Sequence, residues 1–322
     1  MSKYGKHANR DGVFMYALAA FCFGVGGIVS KTVMESGLEA LEWAPLRAMV
    51  SSILLIGFIA ATNRGAFRIQ RVELPLLPLY GLVFLVTQFL YITSIKHLPV
   101  AIGTILVFLA VANVAIWNWW RHKSHPGTGG MISIVLALSG ALFITGILSG
   151  KISGNLDAIG LAAGFGNSVL FAAYLLIGAR LQRHRDAPSL LMWATVGMTI
   201  GWSIIKPWWN YPWHKVTGSS MVFYDHGPVL PLWTMILFVS VVGTVLPFGL
   251  ILGSVARIGA QRGSIIGASE PMWAALLAFL ALNETLDPMQ LVGGALIVAA
   301  IIVGEAWAMR QHRHDAIDEV VD

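Results

Sequence analysis

The chain reads as an all-α polytopic membrane protein, with ten transmembrane helices arranged as two inverted five-helix repeats. Three observations predict this: ten stretches are apolar and long enough to cross a bilayer, basic residues alternate between the intervening segments, and the two halves resemble each other. A span needs roughly 20 mostly apolar residues rising about 1.5 Å each. With 57% hydrophobic residues, 11% charged residues and a mean hydropathy of +0.73, a soluble fold would have a core and almost no polar surface to cover it.

Taken in order, the spans fall near 12–34, 42–61, 74–95, 99–120, 130–148, 158–180, 188–208, 231–255, 262–283 and 288–309. The first follows a basic segment, as a signal peptide does, but its apolar run is too long and no small-residue cleavage site precedes the acidic stretch 35–42. It holds the sole cysteine, Cys22, so neither an intrachain disulfide nor a multi-cysteine metal site is available. Its Gly24-Val-Gly26-Gly27 run lacks the preceding strand and third glycine of a dinucleotide fingerprint. Pro75 and Pro78 at the start of span three, and Pro247 in span eight, offer bending points. The segment 209–230 is the one long outer loop. Trp208, Trp209, Tyr211 and Trp213 at its start are expected to lie along the membrane interface as an aromatic belt. Residues 310–322 are a short charged tail, expected to be mobile.

Charge orients these spans, because positive residues resist translocation. With the N-terminus inside, Lys3, Lys6, Arg10, Arg64, Arg68, Arg71, Arg121, Lys123, Arg180, Arg183, Arg185, Arg257, Arg262, Arg310 and Arg313 are all cytoplasmic, 15 of the 21 basic residues. Lys31, Lys96, Lys151, Lys206 and Lys215 fall outside, where acidic residues such as Glu35, Glu39, Glu42, Glu284 and Asp287 collect. Both termini are therefore expected in the cytoplasm. The net charge of +5 follows from this bias and is no sign of a nucleic-acid partner.

The halves share a pattern. Leu90 to Gly103, with Tyr91, Ser94 and His97, lines up with Leu250 to Gly263 at an offset of 160, and Phe23-Gly24 meets Phe171-Ala172 at 148. The long outer loop accounts for the difference. Five spans per copy is odd, so the second copy, 157–309, sits upside down relative to the first, 12–148. Inverted repeats around a midplane site are the architecture of secondary transporters. Small residues four apart, as at Gly146/Gly150, Gly160/Gly164, Gly197/Gly201, Gly249/Gly253 and Gly259/Gly263/Gly267, allow close helix approach.

Charges inside a bilayer are costly, so each one needs a reason. Glu270 lies near the middle of span nine beside Pro271, which removes a backbone donor there. It can carry protons, meet a substrate ammonium, or hydrogen-bond a neighbouring helix. Arg47, some six residues into span two, either snorkels outward to Glu42 or Glu39 or meets a substrate carboxylate. Lys31 and Glu305 lie near span ends and snorkel. Helical stripes outline a cavity: Tyr80, Phe84, Gln88 and Tyr91 on span three, Asn167, Phe171 and Tyr174 on span six, and Ser240, Thr244 and Phe248 on span eight. Asn113 with Trp117 and Glu270 with Trp273 form shorter pairs. Polar amides among aromatics belong on faces turned away from lipid, and such walls suit a flat, partly apolar ligand.

The run Ala268-Ser-Glu270-Pro271-Met-Trp273, continued through Asn283-Glu284 and Gly293-Gly294, resembles the ninth and tenth spans of the drug/metabolite transporter superfamily, EamA type. Leu46-Arg47-Ala-Met-Val-Ser-Ser resembles that family's second span. The resemblance covers roughly 12–309, and within it the chain is most similar to bacterial inner-membrane aromatic amino acid exporters of the YddG type. It implies ten spans, export from the cytoplasm, and no ATP-binding domain. The first half departs from the pattern, with Ala110-Val111 where the second has Glu270-Pro271.

A membrane-embedded enzyme would gather His, Asp or Ser at the midplane, yet all nine histidines fall outside spans or at their edges. A channel would need a ring of charge or a filter loop. A secondary exporter of aromatic amino acids or similar amphipathic metabolites fits best, with drug or cation export as the alternative, a bilayer and a small-molecule substrate as partners, and no cofactor or metal.

Overall fold

The computed structural model describes residues 3–98, 100–123, 127–144, 157–221, 229–282 and 288–321. The helices are α1 (Lys3–Glu35), α2 (Ala40–Thr62), α3 (Leu76–His97), α4 (Val100–Phe108), α5 (Ala110–His122) and α6 (Gly127–Ile144), then α7 (Ala158–Leu181), α8 (Ala187–Ile205), α9 (Leu232–Ser240), α10 (Leu246–Gly267), α11 (Glu270–Leu282) and α12 (Pro288–Val321). The connection between α8 and α9 holds a small antiparallel hairpin, β1 (Ser219–Met221) with β2 (Val229–Pro231), pairing Ser220 with Leu230.

Twelve helices make ten spans because three spans are interrupted. Among the described residues nine runs are long and apolar enough to cross a bilayer, and one of them, Leu232–Gly267, is two antiparallel segments. The reversal is at Gly259, where φ is +79° and ψ 160°, a conformation that suits a residue without Cβ. The chain folds straight back on itself: a Cβ built at Gly263 would sit 3.5 Å from Val255 Cγ2. Span eight is thus 232–258, and span nine is 260–282, completed by α11.

Spans four and nine break at equivalent places. Span four turns at Leu109 between α4 and α5, and span nine turns at Ala268-Ser269 ahead of Glu270. Leu109 and Ser269 are one repeat offset apart, so the interruption belongs to the repeat, although only the second copy carries a proline there. In span eight, a wide π-type turn over 241–245 precedes Pro247, a feature that inserts an extra residue into the helical ladder.

The spans interlock across the two halves. α1 runs along α10 as α7 runs along α3, and α6 packs along α12. Glycines permit the closest crossings. A Cβ on Gly140 would lie 2.7 Å from the Gly293 carbonyl oxygen, and one on Gly293 equally close to that of Gly140. Gly81 and Gly197 meet in the same way at 2.9 Å.

The face that holds both chain ends is fastened by an ion pair that the sequence did not single out. Arg185 donates Nε to Glu73 Oε1 at 2.9 Å and Nη2 to Glu73 Oε2 at 2.8 Å. Its remaining donors reach the carbonyls of Ala66 and Arg68, and Trp193 Nε1 also donates to Ala66 at 3.2 Å. Both charged side chains are almost fully buried. The Arg185 guanidinium, helped by the Gln70 N–H, holds the Glu73 carboxyl below the usual carboxylate range. Its contribution is therefore complete above the unfolded value, about pH 4.3, and is lost as pH falls through the lower folded value. Thermal melts of purified protein across pH 3–6 should show this acid loss, and Glu73→Gln should flatten it.

On the opposite face Glu42 gathers the connection between α8 and α9. Lys206 and Lys215 pair with its carboxylate at 3.2 and 2.8 Å, and the Tyr211 hydroxyl donates to its carbonyl at 3.1 Å. Tyr211 is buried against Trp208 and Trp213, while Trp209 of the same segment is exposed. Two lysines and a rigid ring hold the segment down. The helices extend beyond the expected spans: α1 begins at Lys3, and α12 continues through Val321 along the charged tail. Glu305 pairs with Arg262 on α10 instead of snorkelling.

Candidate substrate site

The stripe residues on α3 lie opposite its lipid side. Leu79, Leu82 and Phe89 are exposed, whereas Tyr80, Phe84, Gln88 and Tyr91 face the interior. On α7, Phe165 and Val169 are exposed, and Asn167, Phe171 and Tyr174 turn inward. Three distinct groups result.

Nearest the face carrying the chain ends is a closed aromatic cluster. Tyr80 and Tyr174 stack at 4.7 Å with 9° between planes, and Phe84 stacks on Tyr174 at 4.9 Å. Phe171 lies parallel to Tyr174 at 6.1 Å, and Phe248 meets Phe84 edge-on at 4.8 Å and Phe23 at 5.1 Å. Tyr80, Phe84 and Tyr174 are fully buried. Offset stacks and edge contacts of this kind add to their area burial. The cluster, with the Arg185–Glu73 pair beyond it, is tightly packed on that side.

The second group braces helices. Asn167 Nδ2 donates to the Thr87 carbonyl at 2.6 Å, joining α7 to α3, and Asn113 Nδ2 donates to Ser168 Oγ at 3.0 Å, joining α5 to α7. Ser240 and Thr244 are buried where span eight meets α1 and α2, and the Ser240 carbonyl accepts from Ser51 Oγ. Asn167→Ala removes the α7–α3 bridge, while the Thr87 carbonyl keeps its bond within α3. The substitution should lower stability by about 1 kcal/mol, read as a lower melting temperature in detergent.

The third group is polar and only partly buried: Arg47, Gln88, Tyr91, Thr104, Glu270 and Trp273. Arg47 does not reach Glu42, whose carboxylate is held by the two lysines. It turns inward across to α3, where Nη2 donates to Gln88 Oε1 at 3.1 Å. Tyr91 hydrogen-bonds Thr104 and feels the charge of both Arg47 and Glu270. Glu270 is the first residue of α11 after the break, and Trp273 lies one turn on, edge-on to Phe21 at 5.4 Å. Beyond the aromatic cluster there is open space. Gly27, one turn from Phe23, has nothing within 4 Å of where a Cβ would lie. It is on the roughly opposite side of α1 from lipid-exposed Phe14, about 140° round the helix.

Trp117 stands apart, 42% exposed and paired with Trp120 near the end of α5. Thr104 was not singled out in the sequence because a threonine in an apolar run carries no distinctive signal. Among the described residues no cluster of His, Cys, Asp or Glu has the arrangement of a metal site.

A ten-span bundle of inverted halves, enclosing a polar group at the helix breaks, defines a polytopic membrane transporter fold. The profile of the EamA-like transporter family matches residues 10–146 and again 158–303, once per half, and the chain belongs to that family. It is 28% identical to the threonine/homoserine exporter RhtA of Salmonella typhimurium over 91% of this chain and 92% of that one. It is 22% identical to the uncharacterized inner membrane transporter YicL of Salmonella typhimurium, over 95% and 99%, and 23% identical to the uncharacterized transporter YwfM of Bacillus subtilis, over 93% and 95%. A solved crystal structure shares the fold with a TM-score of 0.71 at 13% identity, covering 97% of this chain and 99% of that one.

Proposed function

We propose that this chain is a secondary transporter exporting aromatic amino acids or similar small amphipathic metabolites from the cytoplasm by alternating access. The observation that carries this reading is the pairing of a closed aromatic cluster on one side with a partly open polar group beyond it, between two inverted halves. Halves 12–148 and 157–309 are the moving units. The face holding the chain ends is cytoplasmic in this reading, following the 15 basic residues placed there, and the membrane is the bacterial inner membrane. The conformation is then closed inward and open outward. A second reading, export of threonine or homoserine, is favoured by the similarity to RhtA.

Purified protein in proteoliposomes preloaded with unlabelled solute tests this. Tracer phenylalanine should accumulate transiently against preloaded phenylalanine. Accumulation of tracer methyl viologen instead would make the chain a cation exporter. The orientation is checked separately: a cysteine at position 219, in a Cys22→Ala background, should be labelled from outside intact cells, and one at position 316 should be protected.

A further inference from the structure

We propose that Arg47 and Glu270 recognise the two charged ends of an amino acid zwitterion, Arg47 taking the carboxylate and Glu270 the ammonium, with Tyr91 between them. The inference rests on the transport reading above and names the chemistry by which its site selects a substrate. They come from different halves, Arg47 on α2 of the first and Glu270 at the start of α11 of the second. Neither has an ion-pair partner among the described residues. Glu270 has no hydrogen-bond or ion-pair partner among the described residues, and Arg47 has only the uncharged Gln88, its buried Nε lacking any partner. The two do not pair with each other, yet Tyr91, one turn from the Gln88 that Arg47 holds, lies within electrostatic reach of both.

Opposite charges left apart in an interior that penalises each of them are complementary to a ligand that carries both signs. A simple anion would meet Glu270 as a like charge, and a simple cation would meet Arg47. A zwitterion satisfies both, and the guanidinium fork suits a carboxylate in particular. The α-ammonium and α-carboxylate are common to phenylalanine and threonine, so the pair selects the backbone of the substrate and leaves the side chain to the surrounding walls. Because the charges lie on opposite halves, a bound zwitterion would also link the parts that must move.

The test uses full-length protein in proteoliposomes, with tracer phenylalanine and tracer threonine run separately. Unlabelled phenylalanine, phenylalaninamide (no carboxylate) and 3-phenylpropionate (no ammonium) serve as competitors. Wild type should favour the zwitterion at least tenfold over either analogue. Arg47→Gln should lose the preference over phenylalaninamide but keep that over phenylpropionate, Arg47→Lys should restore it in part, and Glu270→Gln should do the reverse. Equal competition by all three in wild type, or unchanged discrimination in both variants, overturns the zwitterion site while leaving transport intact. No tracer exchange of either amino acid by wild type overturns the transport reading and this one together. If a variant fails to accumulate in the membrane, the wild-type competition profile alone decides.

Discussion

Gly27→Leu should stop transport while leaving the protein folded and abundant, whereas Gly26→Leu, one residue earlier, should remove the protein itself. The two glycines are neighbours on α1 and face different things. A Cβ at Gly26 would lie 2.6 Å from the Cα of Gly243, in the π-type turn of span eight. Backbone cannot move aside as a side chain can, so the crossing must open, at about 1–3 kcal/mol or more. A Cβ at Gly27 meets nothing within 4 Å, and leucine is the better helix former by about 1 kcal/mol. What leucine fills there is the space over the aromatic cluster. Membrane abundance by immunoblot, beside tracer counterflow, reads both effects. Near wild-type transport in Gly27→Leu would mean that this space is not on the substrate's path.

Arg185→Ala is the second large effect, and it acts on the conformational equilibrium. Removing the arginine leaves Glu73 buried without its partner, frees the carbonyl of Arg68, and leaves that of Ala66 to Trp193 alone. Breaking a buried pair in this way costs about 3–5 kcal/mol. Because the pair fastens the cytoplasmic side of the proposed inward-closed state, the cost falls on that state and the inward-open one gains. A cysteine at Tyr80, reacted with thiol reagent from the cytoplasmic side of inverted vesicles, should be labelled faster when Arg185 is alanine. Unchanged labelling would mean that the ion pair anchors a loop without gating. The double variant Glu73→Gln, Arg185→Met, which removes both charges, should recover much of the stability.

Much of this architecture was legible in the residues. Span length and the alternation of lysine and arginine give ten crossings, and the match of Leu90–Gly103 to Leu250–Gly263 gives the repeat. That match also explains why span four breaks at Leu109 without a proline: the break is shared by the fold, and Pro271 reinforces only one copy. The stripes were readable as interior faces, because period alone separates Tyr80, Phe84, Gln88 and Tyr91 from Leu79 and Leu82. Period does not tell an open wall from a closed stack, and Tyr80, Phe84 and Tyr174 are stacked and fully buried. Partner choice was least legible. Arg47 has Glu42 close by in sequence, but Lys206 and Lys215, more than 160 residues away, occupy that carboxylate first. Arg185 looked like one more cytoplasmic positive charge, since its pairing with Glu73 across 112 residues exists only once the helices are packed.

If the polar group beyond the aromatic cluster opens outward and holds substrate, a thiol at position 27 will report it. In a Cys22→Ala background, Gly27→Cys should react with a membrane-impermeant maleimide added outside intact cells, and excess amino acid substrate should slow that reaction. A thiol that reacts only from the cytoplasmic side, or one unreactive from both sides because it faces lipid, would contradict the account.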